Sequence, residues 1–159
     1  MRLRPRAAWL LLTVLASPLA AQIVERRATI AGVRIEEVDQ EDGGTLVRLA
    51  RRGQGYRFEY HLEFWRGNGG VVVGASFRRG DCRSGDSSTI QPTDEAMTRA
   101  NLDRRLADYL RECPLGRSGE AALSRQLDAA WPTFSAWANA ALAAVEAENQ
   151  AIADYGREP

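Results

Sequence analysis

The sequence predicts a two-layer α+β domain: an antiparallel meander of three to four strands, then two long helices packed on one of its faces, with one disulfide. Three observations carry that expectation. Tyr56, Phe58, Tyr60, Leu62 and Phe64 alternate with Arg57, Glu59, His61, Glu63 and Trp65, the period of a strand with one buried and one solvated face. Beyond Leu102 the apolar residues recur at helical spacing instead. All strand patterns precede all helical ones, which segregates the helices to one side of an antiparallel sheet.

Residues 1–21, MRLRPRAAWLLLTVLASPLAA, have the form of a secretory signal: a charged start at Arg2, Arg4 and Arg6, a short apolar core, and a small-residue end at Ala20-Ala21. Cleavage after Ala21 is expected, leaving residues 22–159 as one domain in the periplasm or outside the cell, with no remaining membrane span. The chain has 21 basic residues, all of them arginine, against 21 acidic ones. Without lysine, no ε-amine can serve as base or Schiff-base nucleophile. Losing the three signal arginines leaves a slight acidic excess and no basic run, so composition offers no case for nucleic-acid binding.

Gln22 to Thr29 is polar and reads as a lead-in. The first strand lies within Ile30 to Val38, where Val33 and Ile35 alternate with Arg34 and Glu36; the phase slips at Glu37-Val38, which asks for a bulge or an end. Asp39 to Gly44 is a turn by composition, and Thr45 to Arg51 is the next strand. A four-residue loop, Arg52 to Gly55, would pair Leu49 with Phe58 and Val47 with Tyr60, keeping every apolar residue on one face. Across the Gly-rich turn after Trp65, Phe64 pairs with Val71, Leu62 with Val73, Tyr60 with Ala75 and Phe58 with Phe77. The strands thus fall at about 30–78. Arg78 to Pro92 is rich in turn formers and reads as a loop pinned by Cys82.

Helices are expected over about 94–155. Thr93 is placed to cap the first, and Leu102, Leu106, Tyr109, Leu110 and Cys113 form its stripe until Pro114 stops it. From Gly119 to Tyr155 the positions Leu123, Leu127, Trp131, Phe134, Trp137, Ala141, Val145 and Ile152 hold one phase through Pro132. Cys82 and Cys113 are the only cysteines; in an exported chain they are expected to bond, tying the first helix to the end of the last strand.

Chemistry has few candidates. His61 is the single histidine and lies between Glu59 and Glu63 on the solvated face. Glu-x-His-x-Glu on a strand could offer ligands to a metal or an imidazole oriented by a carboxylate. A metal needs further ligands and a hydrolase needs a nucleophile, so cross-strand ion pairs with Arg48, Arg57 and Arg78 are the plainer account. No cofactor or metal is implied. Trp65, on the same face beside a flexible turn, is a candidate anchor for an envelope protein or small ligand, with Arg57 and Glu63 as its rim. The strip Ala136, Ala140, Ala143, Ala147 and Ala151 would let another backbone approach, a route to a homo-oligomer, although alanine is also simply the best helix former. The expectation is a non-enzymatic exported binding, inhibitory or accessory module of the bacterial envelope. A small hydrolase or metal enzyme at His61 is the alternative, and a structural oligomer the third reading.

Overall fold

The computed structural model of the protein describes residues 23–40, 43–67, 70–90 and 97–156; the expected signal segment, the Pro92 to Glu95 helix start with its Thr93 cap, and the centres of two expected turns lie outside them. The sheet has six antiparallel strands in simple meander order: β1 (Ile23–Ile30), β2 (Val33–Asp39), β3 (Gly44–Gly53), β4 (Tyr56–Trp65), β5 (Val71–Arg79) and β6 (Cys82–Ile90). Two helices follow, α1 (Arg99–Glu112) and α2 (Arg117–Tyr155). The α+β architecture is as expected, but six strands replace three to four.

Both additional strands are edges with polar or charged residues among their inward positions, Arg26 in β1 and Ser84, Asp86 and Ser88 in β6, so neither shows a sustained apolar alternation. In β6 the helix-facing positions are Ser84, Asp86 and Ser88, opposite Phe77, Ala75 and Val73. Asp86 and Ser88 are held by α1: Arg105 donates to Ser88 Oγ at 2.8 Å and pairs with Asp86, which also accepts from the Tyr109 hydroxyl. In β1 the inward Arg26 donates to Glu37 at 2.6 Å and lies 4.6 Å over the Trp137 ring of α2. A backbone irregularity does occur near the expected phase slip, but in β1, between Val24 and Arg26; β2 itself runs in register with β3 to Asp39.

The β4–β5 register is the expected one, Phe64 on Val71 through Phe58 on Phe77. The β3–β4 register differs by two residues: Gly53 pairs with Tyr56 across a two-residue turn, so Leu49 meets Tyr60 and Val47 meets Leu62. A two-residue shift leaves every side chain on its face, and burial therefore does not distinguish the two pairings. The β1–β2 turn places Ala31 and Gly32 at φ 51° and 78°, both in the left-handed region that a tight hairpin of matching twist requires.

The core lies between the sheet and the helices. Phe58, Tyr60, Leu62 and Phe64 of β4 are buried, and Tyr60 sits 5.8 Å from Phe134 in an edge-on arrangement and 6.4 Å from Trp131. Burial pushes the Tyr60 phenol up to about 12. Helix α1 begins at Arg99 because Thr98 accepts from the Asn101 amide, and it buries Leu102, Leu106 and Tyr109. Helix α2 is continuous through Pro132, which faces outward and exposed. Its buried stripe is Leu123, Leu127, Ala130, Phe134, Ala138, Ala141 and Val145, spaced by threes and fours. Trp131 and Trp137 flank that stripe half-buried, and Ile152, expected in it, is exposed along with Tyr155. Cys82 and Cys113 are bonded, with 5.8 Å between their Cα atoms, joining the start of β6 to the end of α1.

Candidate functional site

Both helices cover the same side of the sheet, and the opposite face carries His61, Glu59, Glu63, Trp65 and Arg57. On it, side chains form rows that run across the strands. One row reads Arg27, Glu36, Arg48, His61, Gly74, Ser87, one residue from each strand in order. Its anchor is Glu36, whose side chain is 3% exposed although it points away from the core. Three arginines shield it: Arg27 at 2.9 Å, Arg34 at 3.5 Å, and Arg48 through two hydrogen bonds of 2.7 and 3.2 Å. Burial alone would raise the Glu36 carboxyl; the three guanidinium groups, led by Arg48, outweigh it and hold the group below the ordinary carboxylate range.

His61 lies in the middle of that row. Its Nδ1 is 3.8 Å from Glu59 and its Nε2 is 3.6 Å from Glu63, both longer than a hydrogen bond. The ring rests on Gly74 of β5, where any Cβ would overlap it. The expected face and carboxylate neighbours are therefore present, and the glycine beneath the imidazole was not anticipated; a glycine in mid-strand opposite a bulky residue is the available signal. Arg48, expected opposite Glu59, is instead opposite His61 and reaches Glu59 diagonally at 3.9 Å. Among the described residues no group of three histidine, cysteine or carboxylate side chains is arranged to hold a metal ion.

Trp65 sits at one end of the face, half-buried, with its six-membered ring over Gly44 of β3, 3.2 Å from where a Cβ would be. Towards the row of His61 come Leu46 and Val38, buried despite facing outward, with Glu63 and Val72 beside them. The turn after Trp65 is tied to the far layer: Arg66 pairs with Glu148 at 2.8 Å, and the Gly67 amide donates to Asn149 at 2.6 Å. Glu63 is thus near Trp65, as expected of a rim. Arg57 is not. It lies eight residues away at the other end of β4, roughly 27 Å at strand rise.

Arg57 belongs instead to a second cluster, the row Arg52, Arg57, Arg78, Arg83, one residue from each of β3 to β6. With Arg27, Arg34 and Arg48 these make seven arginines among the described residues of the outer face, against the three carboxylates Glu36, Glu59 and Glu63. A chain with no net charge overall thus presents one distinctly basic face. The alanine strip of α2 is exposed along its whole length, from Ala136 to Ala151. No helix among the described residues is long and apolar enough to cross a membrane. Comparison with known proteins finds no matching family, no similar curated protein and no similar solved structure.

Proposed function

We propose that the protein is an exported, non-enzymatic binding or accessory module of the bacterial envelope, periplasmic or secreted, whose contact surface is the sheet face opposite the helices. The carrying observation is that this face is left open by both helices while presenting an aromatic corner at Trp65 and an excess of arginine. Its hidden Glu36 hub gives the surface a fixed shape, because three arginine side chains converge on one buried carboxylate. The leader-like amino terminus and the Cys82–Cys113 bond both favour an oxidising compartment outside the cytoplasm.

The hydrolase or metal-enzyme alternative rests on His61 between two carboxylates, but the ring is packed on Gly74 and neither carboxylate is within hydrogen-bond length. The test uses the protein recovered from its native envelope. Trp65→Ala is expected to lose whatever co-purifies with the wild type while keeping the wild-type melting temperature. Retention of the same companion by Trp65→Ala removes the Trp65 corner from the contact surface. Stoichiometric metal in the purified protein, lost with His61→Ala, would favour the enzyme reading. A solution mass above the monomer that falls with Ala143→Glu would favour the oligomer.

A further inference from the structure

The row Arg52, Arg57, Arg78, Arg83 stands apart from the other charged groups of the sheet. The three hairpin registers put these residues directly opposite one another on adjacent strands. Strands stand about 4.8 Å apart, so the row is about 14 Å long. All four side chains are exposed, and among the described residues none of them is in an ion pair; Arg78 Nε donates to the Gly80 carbonyl of its own turn at 3.3 Å. The nearest carboxylate in the adjacent row, Glu59, is turned to Arg48 and His61.

Like charges directly opposite one another destabilise a sheet, and among the described residues no ion pair offsets that here. Arg26, Arg27, Arg34, Arg48 and Arg105 each have a carboxylate. The next row inward is Ala50, Glu59, Ser76, Gly85, so small residues on three of four strands leave the guanidinium groups standing clear. Two open hollows flank the Arg52–Arg57 pair. One of about 450 Å³ extends toward Arg34 and Ala50, and one of about 420 Å³ extends toward Tyr56 and Gly80.

We propose that this row is a binding site for a linear oligoanion carrying phosphate or sulfate groups, laid across the strands. Guanidinium forks match such oxyanions with paired N–H donors, and four in line suit a chain of charges better than a single ion. Tyr56 lines one of the two hollows but is stacked on Phe77 at 5.9 Å, and the outward residues of this row and the next include no aromatic side chain, so the row offers successive bases no stacking platform. They include no apolar side chain larger than alanine, so there is no wedge for a lipid surface. The inference rests on the reading of this face as a contact surface and adds its ligand chemistry.

The probes are inorganic tripolyphosphate and a sulfated hexasaccharide, titrated calorimetrically into the intact oxidised protein at low and at physiological ionic strength. Binding of either is expected, and which binds more tightly identifies the phosphate or sulfate source. The double variant Arg57→Gln/Arg78→Gln is expected to weaken it at least about tenfold. Arg111→Gln/Arg125→Gln removes the same charge from the helices and is expected to leave affinity within about twofold. The row variant should melt at or above the wild-type temperature, since it relieves like-charge repulsion. Failure of both probes to bind overturns the proposal, as does equal weakening by the helix variant, equal affinity for polyglutamate, or a lower melting temperature for the row variant. Trp65 is at the far end of β4, so failure here with loss of capture in Trp65→Ala leaves the contact-surface reading standing. Row-dependent binding with capture retained in Trp65→Ala removes only the Trp65 corner.

Discussion

Neutralising Glu36 should destabilise the protein far more than neutralising any other carboxylate on the outer face. Arg48 is a quarter exposed and gives Glu36 two charge-assisted hydrogen bonds, together worth about 1.5–3 kcal/mol. Arg27 and Arg34 are more than half exposed, so solvent screening limits each to about 0.2–1 kcal/mol. Glu36→Gln keeps the shape and some hydrogen bonding but leaves three guanidinium groups around a neutral amide, for a loss of about 2–4 kcal/mol. With a urea slope of about 2 kcal/mol/M, the middle of the usual range, the unfolding midpoint should fall by roughly 1–2 M at unchanged slope. Glu63→Gln, whose nearest partner is His61 at 3.6 Å, is the control and should stay within about 0.5 kcal/mol. The sign with pH follows from the folded-state carboxyl lying below its unfolded value. The stabilisation is fully present above the unfolded pKa and is lost as pH falls through the lower folded one, so wild type and Glu36→Gln should converge in acid. If Glu36→Gln unfolds within about 0.3 M of wild type at neutral pH, the three-arginine hub contributes nothing and the reasoning fails.

Reducing the Cys82–Cys113 bond, or replacing Cys113 by serine, should cost about 3–4 kcal/mol for a closure of 31 residues, and alkylation without reductant should label neither cysteine. Tyr60 should make the fold alkali-sensitive. Its folded pKa of about 12 exceeds the unfolded value near 10, so the stabilisation is intact below pH 10 and about 2–3 kcal/mol is lost by pH 12, a loss that Tyr60→Phe should not show in an alkaline unfolding series. Gly74→Ala should displace the His61 ring and destabilise by about 1–3 kcal/mol, whereas in a His61→Ala background the same change should be nearly neutral; equal costs in both backgrounds would mean the ring does not depend on that glycine.

The parts of this fold legible in the sequence are those fixed by apolar alternation. Phe58 to Phe64 paired end to end with Val71 to Phe77 keeps both apolar runs on the buried face, and that pairing is present. For β3 against β4 the same criterion admits any pairing shifted by two residues, and the two-residue turn between Gly53 and Tyr56 rather than burial decides. The edge strands were hidden because polar side chains attach them: Asp86 and Ser88 to Arg105 and Tyr109, and Arg26 to Glu37 and Trp137. Glu36 was equally hidden, since a glutamate among arginines on a solvated face gives no sign of burial until the β1–β2–β3 register stacks Arg27, Glu36 and Arg48. His61, Glu59, Glu63, Trp65 and Arg57 do share the outer face, as alternation requires. Sharing a face is not sharing a site on a ten-residue strand, and Arg57 and Trp65 stand at its two ends.

Net charge does not show how charge is laid out over a surface. Composition sums charge over the chain, whereas a ligand meets it row by row. Arg52 and Arg57 are five residues apart and so are Arg78 and Arg83, each pair bracketing a four-residue segment that contains a two-residue turn. In a hairpin with such a turn, positions five apart are directly opposite, so Arg-x4-Arg around a Gly-containing turn is a cross-strand pair of like charges. The sequence contains that pattern twice, in RRGQGYR and RRGDCR, and the β4–β5 register joins the two pairs into one row. No run of basic residues is involved, so a search along the chain for clustered charge passes over it. Each pair alone would be a minor cost at a strand end. Four in register and exposed, with no carboxylate in the row itself and none in an ion pair with them among the described residues, concentrate positive charge along a line.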